Sequence, residues 1–277
     1  AIYGGAYSFI TMITFEKYQA TGNDFILINN IDKSFNPSKE TISMLCDRKF
    51  GIGSDGLILI QPHQEYDFEM VFYNPDSSQS LCGNGSRCAV NFANTLGLIQ
   101  GSKTTFMAYD GAHSAEILPD GQVKLEMADV QNVRLLPDGM FVDTGSPHLV
   151  KYIVNIANYP VFEEGKSIRN GGLFTESGVN VNFVEISGEN EINVRTYERG
   201  VENETLSCGT GVTAAAITST HKGLSSPVTI KTRGGNLKVE FNRESLESFK
   251  GIFLTGPAVK VFSGGIDISE YEQKNIT

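Results

Sequence analysis

Two stretches of this 277-residue chain carry the same chemical device. LCGNGSRCAV (residues 81–90) and LSCGTGVTAAA (residues 206–216) each place a cysteine before a Gly-x-Gly pair, at the start of an apolar, helix-forming run. A helix N-terminus offers unpaired N–H groups and a partial positive charge. A thiol placed there is expected to have a lowered pKa. The same N–H groups can hold a carboxylate. Gly83, Gly85, Gly209 and Gly211 would let a ligand approach the backbone. Two such mouths facing each other across a cleft could invert a stereocentre. One thiolate takes a proton from a carbon bearing a carboxylate, and the opposite thiol returns a proton to the other face. The mouths stabilise the charge that builds up in the transition state.

Plainer uses compete. Cys46 and Cys88 read as buried packing thiols. For Cys82 and Cys208 the alternatives are packing or a disulfide between the two. A Cys–His hydrolase ranks lower, because it needs one cysteine and not a matched pair.

The elements that must position these residues are legible in outline. DFILIN, GLILIQ and FEMVFYN read as strands, and residues 104–127 as a meander turning at Asp110-Gly111 and Asp120-Gly121. Helices are expected over 38–50, 85–96 and 211–222, the last two closed by left-handed caps at Gly97 and Gly223. An internal repeat organises the rest. Residues 68–98 and 192–224 both run strand, Tyr, polar loop, C-G-x-G, helix, Gly-Leu. Gly97 follows Cys82 by fifteen residues, as Gly223 follows Cys208. Upstream, ATGNDFILI parallels DTGSPHLV. Two homologous halves follow, residues 12–130 and 131–261, joined near 128–135. A strand at about 262–272 is expected to return to the first half, and residues 1–11 read as a tag or upstream extension.

Composition limits the function. The net charge is −10, and the 22 Lys and Arg form no basic block, which argues against nucleic acid as a partner. No apolar run approaches the ~20 residues of a membrane helix. The four cysteines form no metal-binding or secreted disulfide pattern, and a reducing cytoplasm is expected.

Taken together, TGNDF, GIGSDGLI, YNPD…LCGNGSRC, TGSPH, GVNVNF and YERG…ETLSCGTG resemble the diaminopimelate epimerase family, from about Phe15 to the end of the chain. C-G-x-G alone is shared with proline racemase-like relatives; the combination is more specific. The resemblance implies two α+β domains, each a curved sheet around a central helix, with the active site between them. It implies an epimerase without cofactor or metal that interconverts LL- and meso-2,6-diaminoheptanedioate, on the route to lysine and peptidoglycan. Its partners would be that amino-acid substrate and a second copy of the chain. Cys82 and Cys208 would be the two bases, with His148 and Glu198 assisting the thiols. Asn23, Asn74, Ser146, Asn180 and Arg199 match substrate-binding positions, Arg199 suiting the distal carboxylate. Gly83, Asn84, Gly209 and Thr210 match the donors around the reacting centre. Gly56 stands where many members carry Gln, and Ser146 where many carry Asn. The alternatives are a racemase of another amino acid, such as proline or hydroxyproline, and a non-enzymatic binding protein.

Overall fold

The structure, a computed structural model, describes residues 12–171, 174 and 178–269. Residues 1–11, read above as a tag or extension, lie outside these. The first half contains β1 (Met12–Ala20), β2 (Asn23–Asn29), α1 (Lys39–Cys46), β3 (Gly56–Gln61), β4 (Phe68–Tyr73) and α2 (Gly83–Thr95). The meander β5 (Lys103–Ala108), β6 (Gly111–Ile117) and β7 (Val123–Met127) closes it. The second half opens with β8 (Arg134–Leu136), β9 (Gly139–Asp143), β10 (Pro147–Tyr152), α3 (Val161–Arg169), β11 (Asn180–Gly188) and β12 (Glu191–Glu198). A short β13 (Asn203–Thr205) leads to α4 (Gly209–Ser219) and the meander β14 (Val228–Thr232), β15 (Gly235–Arg243) and β16 (Phe249–Gly256). Finally β17 (Val259–Asp267) pairs antiparallel with β1 in the first half.

The repeat reappears as strand pairing. β2 runs parallel to β3, as β10 does to β11. β3–β4 and β11–β12 are antiparallel hairpins, and β4–β5 and β12–β14 are parallel crossovers through α2 and α4. Each half is thus a mixed sheet folded around one helix. Cys88, Ala89, Val90 and Phe92 of α2 pack with Tyr18, Phe25, Ile58 and Met70. Val212, Ala214, Ala215, Ala216 and Ile217 of α4 pack with Val142, Val184, Val194 and Val228. α4 is apolar nearly all round, as a helix enclosed by sheet must be.

Besides β17, the halves are joined by a strand seam and a rim turn. β7 pairs antiparallel with β16, so that Leu125 lies opposite Leu254. These leucines lie beneath the two helix mouths. A Cβ on Gly83 would lie 4.0 Å from Leu125 Cδ2, and one on Gly209 3.3 Å from Leu254 Cδ2. At the rim, the β1–β2 turn reaches across to the second half. Its Thr21 and Gly22 both have positive φ, 48° and 85°, as a two-residue hairpin turn of this hand requires. A Cβ on Gly22 would lie 2.6 Å from Leu206 Cδ1, and one on Gly234 would lie 1.7 Å from the Thr21 carbonyl oxygen.

Four elements differ from expectation. α1 stops at Cys46 because the Asp47 carboxylate accepts from the N–H groups of Lys49 and Phe50, at 2.7 and 2.8 Å, and turns the chain. α2 and α4 begin two residues early, at Gly83 and Gly209, so each cysteine is itself the N-cap. α3 is not among the expected helices, and its central Gly165 is a poor helix former. That glycine is a contact residue, since a Cβ there would lie 2.3 Å from Tyr197 Cβ.

Leu254→Ala is expected to cost about 2–5 kcal/mol, because a fully buried side chain between the halves leaves a cavity. Urea unfolding followed by far-UV circular dichroism measures this. A loss under about 1 kcal/mol would mean that the seam beneath the mouths can collapse to fill the gap.

Candidate active site

The two helix N-termini meet. A Cβ on Gly209 would lie 3.8 Å from Gly83 Cα and 3.8 Å from Asn84 Oδ1. Cys82 and Cys208 cap these helices in extended backbone, and both thiols are free. Cys82 Sγ accepts from the Gly85 N–H at 3.4 Å. Cys208 makes no such capping bond and contacts Thr210 Oγ1 at 3.5 Å.

A buried chain of polar side chains stands behind Cys208. Thr196 Oγ1 donates to Asn182 Oδ1 at 2.9 Å, and Asn182 Nδ2 contacts His148 Nδ1 at 3.0 Å. With Nδ1 accepting, the ring proton sits on Nε2, which donates to Thr210 Oγ1 at 2.9 Å. The Thr210 hydroxyl is then left to donate to Cys208 Sγ. His148 is wholly buried on β10, not at a strand edge. Burial, with Arg199 nearby, pushes its pKa down to about 3, so the ring is neutral.

Cys82 is held by the first half. Its thiol donates to Asn23 Oδ1 across 3.7 Å, and Asn84 Nδ2 donates to the same oxygen at 3.2 Å. The orientation of Asn23 is fixed from behind, where its Nδ2 donates to Asp55 Oδ2 at 2.7 Å. Asp55 in turn accepts from Arg48 at 2.7 Å, and Arg48 forks onto Asp24, which also pairs with Lys17. Asp55 and Arg48 were not singled out from the sequence. Asp55 stands within GIGSDGLI, where the Gly56 departure draws the eye first.

Both thiols depart from the expectation of lowered pKa. Burial raises Cys82 to about 11 against the pull of the Gly85 and Asn84 N–H groups. Burial and the Glu198 charge raise Cys208 as well. At both cysteines, desolvation of a thiolate outweighs what a helix mouth supplies. Glu198 is raised too, by burial, while accepting from Thr205 Oγ1 at 2.7 Å.

A cavity of about 870 Å³ opens over the mouths. It is lined by Asn23, Asn74, Cys82, Glu198 and Arg199, with Asp55 and Arg48 beside them. Asn74 is fixed by Ser78 and Ser80. Gly83, Asn84, Cys208, Gly209 and Thr210 do not line it; Asn84 reaches its wall by donating from Nδ2 to the Ser207 carbonyl at 3.3 Å, and Cys208 is buried next to Ser207 in the chain. Asn180 and Ser146 do not line the cavity. Asn180 Nδ2 donates to Ser146 Oγ and to the Pro147 carbonyl, and its Oδ1 accepts from the Arg199 N–H at 2.9 Å. In this arrangement Asn180 places the Arg199 backbone. The Gly56 departure is matched by its neighbour: a Cβ there would lie 2.3 Å from Phe72 Cε2, so the aromatic ring occupies the side-chain space.

Among the described residues, no helix is long and apolar enough to cross a membrane, and no His, Cys, Asp or Glu cluster is arranged to hold a metal ion.

This architecture defines a class. Solved structures with the same fold include a PhzF-family phenazine biosynthesis protein from Bacillus anthracis, at TM-score 0.72 and 14% identity, covering 93% of this chain and 99% of that one. A hydroxyproline epimerase from Agrobacterium vitis superposes at TM-score 0.67 and 16% identity, covering 93% of each chain. At such identities the likeness establishes the fold alone. Sequence is more specific: residues 15–133 and 140–261 match the diaminopimelate epimerase family. The diaminopimelate epimerase of Flavobacterium psychrophilum is 49% identical over 89% of this chain and 97% of its own. That of Aquifex aeolicus is 40% identical over 93% and 99%. The chain belongs to the diaminopimelate epimerase family, and is an isomerase.

Gly211→Ala tests the chain behind Cys208. The new Cβ would lie 2.4 Å from Asn182 Oδ1, forcing that amide off Thr196 and His148. A destabilisation of about 1–3 kcal/mol is expected, with loss of the single Nε2–H tautomer of His148 in nitrogen-15 NMR. An unchanged imidazole spectrum would show that Asn182 does not set the tautomer.

The depressed pKa of His148 also makes a linkage prediction. Its contribution to stability is complete above its unfolded pKa, near 6.5, and is lost as pH falls toward about 3, because only the unfolded chain takes up the proton in that window. Its ring signals should therefore stay constant between about pH 5 and 8; titration within that range would contradict the burial argument.

Proposed function

We propose that this protein is an active diaminopimelate epimerase, inverting one α-carbon of 2,6-diaminoheptanedioate between the LL and meso forms without a cofactor. The observation that carries this reading is the meeting of two cysteine-capped helix N-termini beside a polar cleft whose wall includes Cys82 and Ser207. The carboxylate at the reacting carbon sits against the N–H groups of both mouths. One thiolate takes the α-proton, and the electron pair left on carbon spreads into that carboxylate, where the helix ends stabilise it. The opposite thiol delivers its proton to the other face. The two sulfurs finish with their roles exchanged, so the reaction runs in both directions.

Glu198 raises the proton affinity of both thiols. A substrate ammonium bound against it cancels that effect and favours the thiolate when substrate is present. The lining carries both signs of charge, with Arg48 and Arg199 among Asp55, Asp76, Glu198 and Glu204. That mixture suits a molecule with two carboxylates and two ammonium groups. Arg199 is the residue we assign to the distal carboxylate, which proline and hydroxyproline lack. Free thiols in the site fit a reducing, cytoplasmic setting and a role in lysine and peptidoglycan precursor synthesis. The family resemblance adds a homodimer.

The test is proton exchange. Reduced protein incubated with LL-diaminopimelate in heavy water should lose the α-proton signal as the meso isomer forms. Exchange with proline or hydroxyproline, and none with diaminopimelate, would replace this reading with the other racemase. Cys82→Ser and Cys208→Ser should each lower kcat by about a thousandfold, the share general acid–base catalysis commonly carries; near-normal turnover in either would remove the two-thiol scheme. Arg199→Lys should raise KM by about tenfold with a smaller change in kcat; an unchanged KM would take Arg199 out of the distal site.

A further inference from the structure

Arg87 has no role in the chemistry so far, yet it is the largest fully buried side chain in the described protein, at 0% exposure. A buried guanidinium ordinarily has a carboxylate partner. Among the described residues no Asp or Glu forms an ion pair with Arg87. Its hydrogen bonds go to Asn84 Oδ1 at 2.8 Å, the Gly83 carbonyl at 3.4 Å and the Pro257 carbonyl at 3.5 Å. The titratable groups that bear on it are the thiols of Cys88 and Cys82. Cys88 is sealed in the core, where burial holds it protonated. Cys82 is on the cleft wall.

The duplication supplies an internal comparison. Five residues after Cys82 is Arg87, and five residues after Cys208 is Thr213. Thr213 is also fully buried, and its hydroxyl donates to the Gly209 carbonyl at 3.0 Å, as Arg87 does to Gly83. One mouth is therefore backed by a cation and the other by a hydroxyl. The next layer shows the same asymmetry: Asn84 is held by the Arg87 cation, while Thr210 is held by neutral His148.

We propose that Arg87 is a positioning residue that makes Cys82 the more readily ionised of the two thiols. It does so by placing an unneutralised charge behind the α2 mouth and by locking Asn84 so that its amide nitrogen faces Asn23 and Ser207. The proposal rests on the reading that these thiols move the proton. Burial raises both, and Cys208 more than Cys82, with Arg87 acting to lower Cys82. The other charges that face Cys82 are Glu198 and, around the same cleft, Asp55, Arg48 and Arg199. These remain in place in every variant below.

The test needs no substrate, so it stands whatever the protein turns over. Full-length protein is alkylated with iodoacetamide across pH 7 to 11.5, and Cys82 and Cys208 are quantified separately by peptide mass spectrometry. In wild type, the Cys82 rate should rise at lower pH than that of Cys208. In Arg87→Met the Cys82 alkylation rate at a fixed pH near 9 should fall by about tenfold or more, the effect of losing a nearby opposite charge, while that of Cys208 falls less. In Arg87→Lys, which keeps the charge and loses the fork, Cys82 should still ionise first. A folded Arg87→Met with an unchanged Cys82 rate would overturn the proposal. If the Met variant does not fold, the Lys variant decides alone, and a reversed order there would overturn it. So would a wild type in which Cys208 ionises first.

Discussion

Two α-helices pointed nose to nose repel. Each N-terminus carries roughly half a positive charge, and at α2 and α4 these ends lie within a few ångströms of each other. Arg87 adds a full charge behind one of them. Such an arrangement is costly unless an anion is drawn in. Much of the surrounding structure follows from holding the two ends together until one arrives. The β7–β16 seam supplies the force, with Leu125 and Leu254 packed under the opposing glycines. The glycines supply the clearance. Glu198 supplies negative charge to the cleft.

The same constraint explains why each cysteine is an N-cap. Only the cap position puts a side chain beside the unpaired N–H groups while keeping its backbone outside the helix. Serine or aspartate would cap more strongly, but neither holds a proton that can move at the required affinity. The raised thiol pKa values then have a use. A sulfur kept protonated by burial and by the Glu198 charge is protected from adventitious chemistry.

What could be read from the sequence was what depends on local spacing. The paired Cys-Gly-x-Gly motifs, the caps at Gly97 and Gly223 and the repeat itself all lie within short windows, and the structure displays them as α2, α4 and matching strand orders. Of the residues named for the site, Asn23, Asn74, Cys82, Glu198 and Arg199 line one cavity. What escaped was whatever depends on a third dimension. Asn182 shares a strand face with Asn180 but reads as a spare asparagine until His148, in register with Asn180 on the neighbouring strand, is seen to bond its amide. Asp55 gains its meaning from Asn23, thirty-two residues away. The sign of the thiol shift escaped because a motif declares a helix mouth and says nothing about how much water remains there.

The Gly56 position shows how such a site tolerates an edit. On β3 a side chain would collide with Phe72 on the neighbouring β4, so the ring takes the space a side chain at Gly56 would need. The polar work left on that side of the cleft falls to Asp55. It cannot face the substrate freely, because both its oxygens are engaged: one by Arg48, the other by Asn23 and the Asp24 N–H. Its influence passes through Asn23, whose carbonyl oxygen must then face Cys82 and Asn84. Asn23 is thereby fixed from the first half and Asn84 from Arg87, and the two amides meet above the α2 mouth. Asp55 thus acts on this side of the cleft by orienting a neighbouring residue. This leaves the two mouths and both thiols unaltered.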